Sequence, residues 1–114
     1  MKVSQIVKNL QLTKVTSRED LEREITGGYT SDLLSNVMGQ AKAGMIWVTM
    51  QGHHNIAAIG ALIGLAAIIV AGGTKIEEDT IIRADENELP IFTTNMSSYE
   101  VTGKLYALGI TNQQ

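Results

Sequence analysis

Ile56-Ala57-Ala58-Ile59-Gly60-Ala61-Leu62-Ile63-Gly64-Leu65-Ala66-Ala67-Ile68-Ile69-Val70-Ala71 holds no charged residue, and its reading decides the fold. The run is shorter than the ~20 residues needed to cross a bilayer. Its composition also changes midway. Ala57 to Ile63 is rich in helix formers, whereas Ile68-Ile69-Val70 is β-branched and suits a strand, with Gly64 between the two. The stretch therefore predicts a buried helix from about Asn55 to Leu65 running into a buried central strand over 66–71, and no membrane span.

The same alternation extends on both sides. Met45 to Met50 is apolar on both faces and predicts another interior strand. Glu77-Glu78-Asp79 places negative charge where a helix dipole favours it, and opens a helix with Ile81, Ile82 and Ala84 inward and Asn87 near its end. Leu89 to Thr93 reads as a strand with Pro90 in its first residues. Ser97 or Ser98 caps a last helix with Val101, Leu105 and Leu108 inward and Gly109 as its stop. Three strand–helix units joined by short connections demand a parallel sheet flanked by helices, an α/β fold.

Upstream the signals are shorter. Ser4 is placed to cap a helix through Leu10 with Val3, Ile6, Val7 and Leu10 on one face. Leu12 to Thr16 alternates as a strand, and Ser17-Arg18-Glu19-Asp20 reads as a turn or polar helical start. Glu24-Ile25-Thr26 suits a strand or a helix end, which Gly27-Gly28 is expected to break. Ser31 or Asp32 is placed to cap a helix with Leu33, Leu34, Val37, Met38 and Ala41 inward, ending at Gly44. The tail Thr111-Asn112-Gln113-Gln114 is expected to fray.

Composition narrows the function. A chain of 114 residues suits one domain with its own core, over residues 1–114. Net charge is −3 and aromatic residues are 4%, so neither a basic nucleic-acid footprint nor a base-stacking platform is present. The absence of cysteine removes disulfides, thiolate metal sites and thiol nucleophiles. Met1-Lys2-Val3-Ser4-Gln5 has no signal-peptide apolar run, so the cytoplasm is the expected location.

Three polar turns follow the strands: Gln51-Gly52-His53-His54, Gly72-Gly73-Thr74-Lys75 and Thr93-Thr94-Asn95. A parallel sheet brings such turns to one end, where they line a crevice. Gly72 and Gly73 permit positive φ and close approach of a ligand. Neither G-x-G-x-x-G nor G-K-[ST] is present, and Glu77, Glu78 and Asp79 oppose a phosphate at the next helix start. Consecutive histidines on a helix diverge by about 100°, a poor chelating geometry, and no H-E-x-x-H occurs. Thr93, Thr94, Asn95, Ser97 and Ser98 gather hydroxyls and an amide that also serve as caps and turns. The expected ligand-binding set is Gln51, Gly52, His53, His54, Gly72, Gly73, Thr74, Thr93, Thr94 and Ser97, with no catalytic and no metal-ligating residue. No cofactor is named by the sequence.

Four segments together resemble small stand-alone DRTGG-domain proteins: Glu24 to Ser35, Ile46 to His53, Glu78-Asp79-Thr80-Ile81 and Ser98-Tyr99-Glu100 to Leu105. The family is named for an Asp-Arg pair after a glycine following one central strand and Thr-Gly-Gly after the next. Here these slots read His53-His54 and Ala71-Gly72-Gly73, so only the glycines remain. Such domains are similar to the N-terminal domain of HPr kinase/phosphorylase. They also occur in phosphotransacetylases and beside CBS domains in regulated pyrophosphatases. Stand-alone members resemble chains whose genes lie near redox-complex components. The resemblance implies a regulatory module without catalysis that senses a small nucleotide-like or anionic ligand and forms a homodimer. The alternatives are an interaction module of a redox or metabolic complex, favoured by an exposed apolar patch at Met38, Met45 or Tyr99, and, third, a metal-dependent enzyme using His53 and His54.

Overall fold

A computed structural model describes residues 1–17 and 21–112. Helix α1 (Val3–Leu10) leads into a two-residue strand β1 (Thr13–Lys14) and then β2 (Gly27–Thr30). The rest alternates: α2 (Leu34–Gln40), β3 (Met45–Thr49), α3 (Asn55–Ile63), β4 (Ala67–Val70), α4 (Glu78–Glu86), β5 (Ile91–Thr93) and α5 (Ser98–Ala107). The strands form one sheet in the order β1-β5-β4-β3-β2. All neighbours are parallel except β1, which pairs antiparallel with β5 through Thr13 opposite Thr93 and Lys14 opposite Phe92. Among the described residues, no helix is long and apolar enough to cross a membrane.

Each interior strand sends alternate side chains into two cores. Met45, Trp47, Ile68, Val70 and Ile91 pack with α2, α3 and α4 through Val37, Ile56, Ala57 and Ala84. Ile46, Val48, Ala67, Ile69 and Phe92 pack with α1 and α5 through Val3, Ile6, Val101 and Leu105. Burial on both faces is what the unbroken apolar runs of β3 and β4 imply. The crossovers β2 to β3 to β4 to β5 step in one direction across the sheet, so same-handed connections put α2, α3 and α4 on one face. The last connection, from β5, instead takes α5 to the opposite face.

Several sequence expectations are corrected. Gly27-Gly28 begins an edge strand and does not break one. A Cβ on Gly27 would lie 2.7 Å from the Thr111 carbonyl oxygen, and the Gly28 N–H donates to that oxygen at 2.8 Å. Bare backbone is needed where the chain beyond α5 crosses β2. The same bond ties Thr111 to the sheet, so the expected fraying does not hold there, while Gln113 and Gln114 lie outside the described residues. The strand expected over Leu12 to Thr16 shrinks to two residues. Beyond them the Val15 N–H still donates to Ile91 O at 3.1 Å, and Thr16 Oγ1 accepts from the Ile91 N–H. Of the expected turn at 17–20, Arg18, Glu19 and Asp20 lie outside the described residues; Ser17 N–H and Oγ–H both donate to the Asp85 carboxylate, at 2.8 and 3.0 Å.

Capping also moves. Lys2 precedes α1, and its N–H donates to Gln5 Oε1 at 2.8 Å, so Ser4 lies inside the first turn. Leu33 precedes α2, with Ser31 Oγ accepting from its N–H at 3.1 Å. Leu33 and Met38 face outward. On α4 Thr80 and Ala84, one turn apart, are buried and Ile81 packs against the core as expected, whereas Ile82 is exposed. Ser97 caps α5 by accepting from the Glu100 N–H at 3.2 Å.

Candidate functional site

The carboxyl ends of β3, β4 and β5 carry the three polar turns to one end of the sheet. The turn after β3 is held from below. The Asp32 carboxylate accepts from the Met50 N–H at 2.7 Å and from Thr49 Oγ1 at 2.9 Å. Asp32 is therefore an anchor for the neighbouring strand, in place of the helix cap expected of it. The Gln51 N–H donates to Thr49 Oγ1 at 3.1 Å.

Gly52 then packs against the loop that follows β4. Its carbonyl oxygen accepts from the Glu77 N–H at 3.0 Å and from the buried Thr80 hydroxyl at 2.9 Å. A Cβ on Gly52 would overlap the Lys75 carbonyl oxygen. Beside it, the Met50 methyl lies 2.8 Å from where a Cβ on Gly72 would stand. The gap between the β3 and β4 ends is thus filled by the protein's own atoms.

His53 and His54 sit on the outer side of this packed junction. His53 Nδ1 accepts from the Asn55 N–H at 3.3 Å, a local cap for α3. His54 Nδ1 is 3.8 Å from Asp79 Oδ2, and Asp79 also holds Arg83 Nε at 3.0 Å. The two imidazoles are 6.1 Å apart between centroids and 65° between planes, so they do not aim at one point. Among the described residues, no group of three His, Asp or Glu side chains converges as a metal set.

Between β4 and β5 the arrangement differs. Gly72 N–H donates to Met96 O at 2.7 Å and Gly73 N–H to Thr94 O at 3.0 Å, which clasps the two loops at their bases. Gly72 and Gly73 have φ of +74° and +68°, a left-handed pair that only glycine adopts without strain. From there the loops part, because the chain after β4 turns to α4 on one face and the chain after β5 turns to α5 on the other. Such a divergence is where open α/β sheets form a ligand crevice.

A pocket of about 250 Å³ opens at this place. Gly73, Thr74, Lys75 and Ile76 line one wall and Thr93, Thr94 and Asn95 the other. Thr13 and Val15 of the antiparallel edge and Ile81 of α4 complete it. Lys75 is exposed and pairs with no carboxylate among the described residues. The pocket thus offers one cation, hydroxyls that donate and accept, one amide and an apolar floor.

Of the residues singled out from the sequence, Gly73, Thr74, Thr93 and Thr94 are brought together here. Gly72 lies at the clasp and Ser97 is occupied as a helix cap. Gln51, Gly52, His53 and His54 do not line the pocket; the packed β3–β4 junction separates them from it. The expected set left out Lys75, which lines the pocket, although it closes the quoted turn Gly72-Gly73-Thr74-Lys75. It also missed Thr13 and Val15, whose place depends on a strand pairing across most of the chain.

A family model described as DRTGG domain matches residues 5–108. Among solved structures, the fold is similar to the CBS and DRTGG domains of the regulatory region of Clostridium perfringens pyrophosphatase, solved in complex with its activator, diadenosine tetraphosphate. That similarity has a TM-score of 0.65 at 15% identity, and covers 90% of this chain. The chain spans 44% of the length of that structure. No curated protein matches the sequence.

Proposed function

The chain belongs to the DRTGG-domain family, and from that premise we propose that it is a regulatory module that binds a small anionic, nucleotide-like ligand between the ends of β4 and β5. It is a single ligand-sensing domain without catalysis, acting in the cytoplasm as a homodimer. The observation that carries the reading is the pocket at the divergence of the two loops, where Lys75 and the hydroxyls of Thr74, Thr93 and Thr94 converge with Asn95. A lysine ammonium supplies the charge for an anion, and threonine hydroxyls and the asparagine amide supply directed donors. The acidic start of α4 is partly offset on its outer side, where Asp79 is paired with Arg83. Ile76, Ile81 and Val15 give an apolar floor for the uncharged part of the ligand. The related pyrophosphatase region binds a nucleotide activator, which is consistent with this class of ligand.

Thermal-shift and calorimetric titration with AMP, ADP and acetyl phosphate test it. At about a hundredfold excess over Kd, a ligand specific for the folded state stabilises by ~2.7 kcal/mol, an upward Tm shift of about 10 °C for a chain of this size. Lys75→Ala is expected to remove that shift. No stabilisation by any of the three compounds would overturn the reading. Light scattering tests the dimer, and a strict monomer at micromolar concentration would contradict it.

A second reading, an interaction module for a different partner chain, is favoured by Tyr99, which is 90% exposed on α5. Of the other residues expected to mark such a patch, Met38 is exposed and Met45 is buried.

A further inference from the structure

On the opposite face of the sheet, a second concavity of about 280 Å³ lies between the edge strand β2 and α5. Its floor is apolar: Val48, Leu105 and Ile110, all buried. Its rim is polar and uncharged. Thr30 Oγ1 and Thr102 Oγ1 lie 2.7 Å apart across the mouth, one donating to the other. Such a pair uses one of its two protons, so one hydroxyl keeps an O–H to give and both keep lone pairs to offer. Asn112 adds an amide, and Tyr106, 65% exposed, adds an aromatic ring at the edge.

α5 carries a further hydroxyl close by. Ser98 precedes Thr102 by one turn on the same helical face. Its Oγ is shut off from solvent and has no hydrogen-bond partner among the described residues. A buried hydroxyl without a partner costs about 1–3 kcal/mol unless a water or ligand satisfies it. Ser98 itself does not line the concavity; at the rim it is the Thr30–Thr102 pair that presents more hydrogen-bonding capacity than the protein uses.

We propose that the concavity between β2 and α5 is a second binding site, for a small neutral ring that carries an amide-like donor–acceptor edge. No charged side chain lines it, so an ionised ligand would enter without a counter-charge and lose hydration. The apolar floor takes the body of the ring, and Tyr106 stacks or meets it edge-on. The Thr30–Thr102 hydroxyl pair takes its polar edge. The volume lies at the small end of ligand sites, which suits one ring and not a chain of several. The site is independent of the anion pocket, which lies at the other edge of the sheet.

Titration of the whole chain with nicotinamide, followed by backbone amide NMR, tests the proposal. Shifts are expected at Thr30, Thr102, Tyr106 and Asn112. Thr102→Val, which removes the hydroxyl at nearly constant shape, is expected to weaken binding about fivefold. Tyr106→Ala is expected to weaken it by a similar factor, and cyclohexanecarboxamide, which is not planar, to bind at least tenfold more weakly. Lys75→Ala is expected to leave nicotinamide affinity within twofold, so the two sites fail separately. Absence of saturable shifts at millimolar nicotinamide, shifts confined to Gly73 to Asn95, or full affinity in both Thr102→Val and Tyr106→Ala would overturn it.

Discussion

The β3–β4 junction and the β4–β5 junction start from the same ingredients. Each is built where a buried parallel strand ends in glycine and polar residues and enters a helix. The first is filled, with Gly52 against the Lys75 carbonyl and Met50 over Gly72. The second is clasped at its base by Gly72 and Gly73 and open above. The difference lies in where the following helices go. α3 and α4 pack together on one face, so their entry loops run side by side and close up. α4 and α5 lie on opposite faces, so their entry loops diverge. Turn composition alone does not make a crevice; the direction of the next element does.

The sharpest way to break this comparison is to disturb the filled junction. Gly52→Ala sets a Cβ against a backbone carbonyl that cannot swing aside. It is expected to cost about 3 kcal/mol, at the upper end for overpacking, read as a lower urea midpoint at unchanged slope. Unchanged stability would mean that the junction is looser than the packing implies. Asp32→Ala is expected to cost about 2 kcal/mol, since it strips a charged acceptor from the Met50 N–H and the Thr49 hydroxyl. That loss is also read by urea unfolding, with faster hydrogen exchange at Met50.

In the open junction the same kind of change acts differently. Gly73→Ala puts a side chain at φ +68°, which costs about 1–2 kcal/mol. Its Cβ would meet only Asn95 Oδ1, at 3.0 Å, the end of a side chain that can turn away. The stability loss is expected to be smaller than for Gly52→Ala, with the loss of ligand-induced Tm shift larger. Smallest of all, His54→Ala is expected to change stability by less than about 0.5 kcal/mol, because its contact to Asp79 is long and exposed. A larger loss would give the histidine pair a structural role that its geometry does not suggest.

What was legible in the sequence follows from range. The elements from Met45 to Gly109 are written in local periodicity, and the α/β architecture with its parallel sheet is the one observed. Gly27 and Gly28 read as breakers because their reason, the carbonyl of Thr111 against β2, lies at the far end of the chain. Asp32 read as a cap because its partners at the end of β3, Thr49 and Met50, come beside it only when the sheet forms. At the site, Gly73, Thr74, Thr93 and Thr94 were legible as strand-end turns. The exclusion of the 51–54 turn from the pocket was not, because nothing local records that α5 leaves by the other face.

The central claim is that a ligand occupies the β4–β5 opening and leaves the histidine turn untouched. Calorimetric titration of ADP into the wild-type chain, Lys75→Ala with Thr93→Val, and His53→Ala with His54→Ala tests it most directly. At least a tenfold loss of affinity is expected for the first pair of substitutions and less than a twofold change for the second. Loss of affinity in the histidine variant, with Lys75→Ala and Thr93→Val binding as the wild type does, would contradict it.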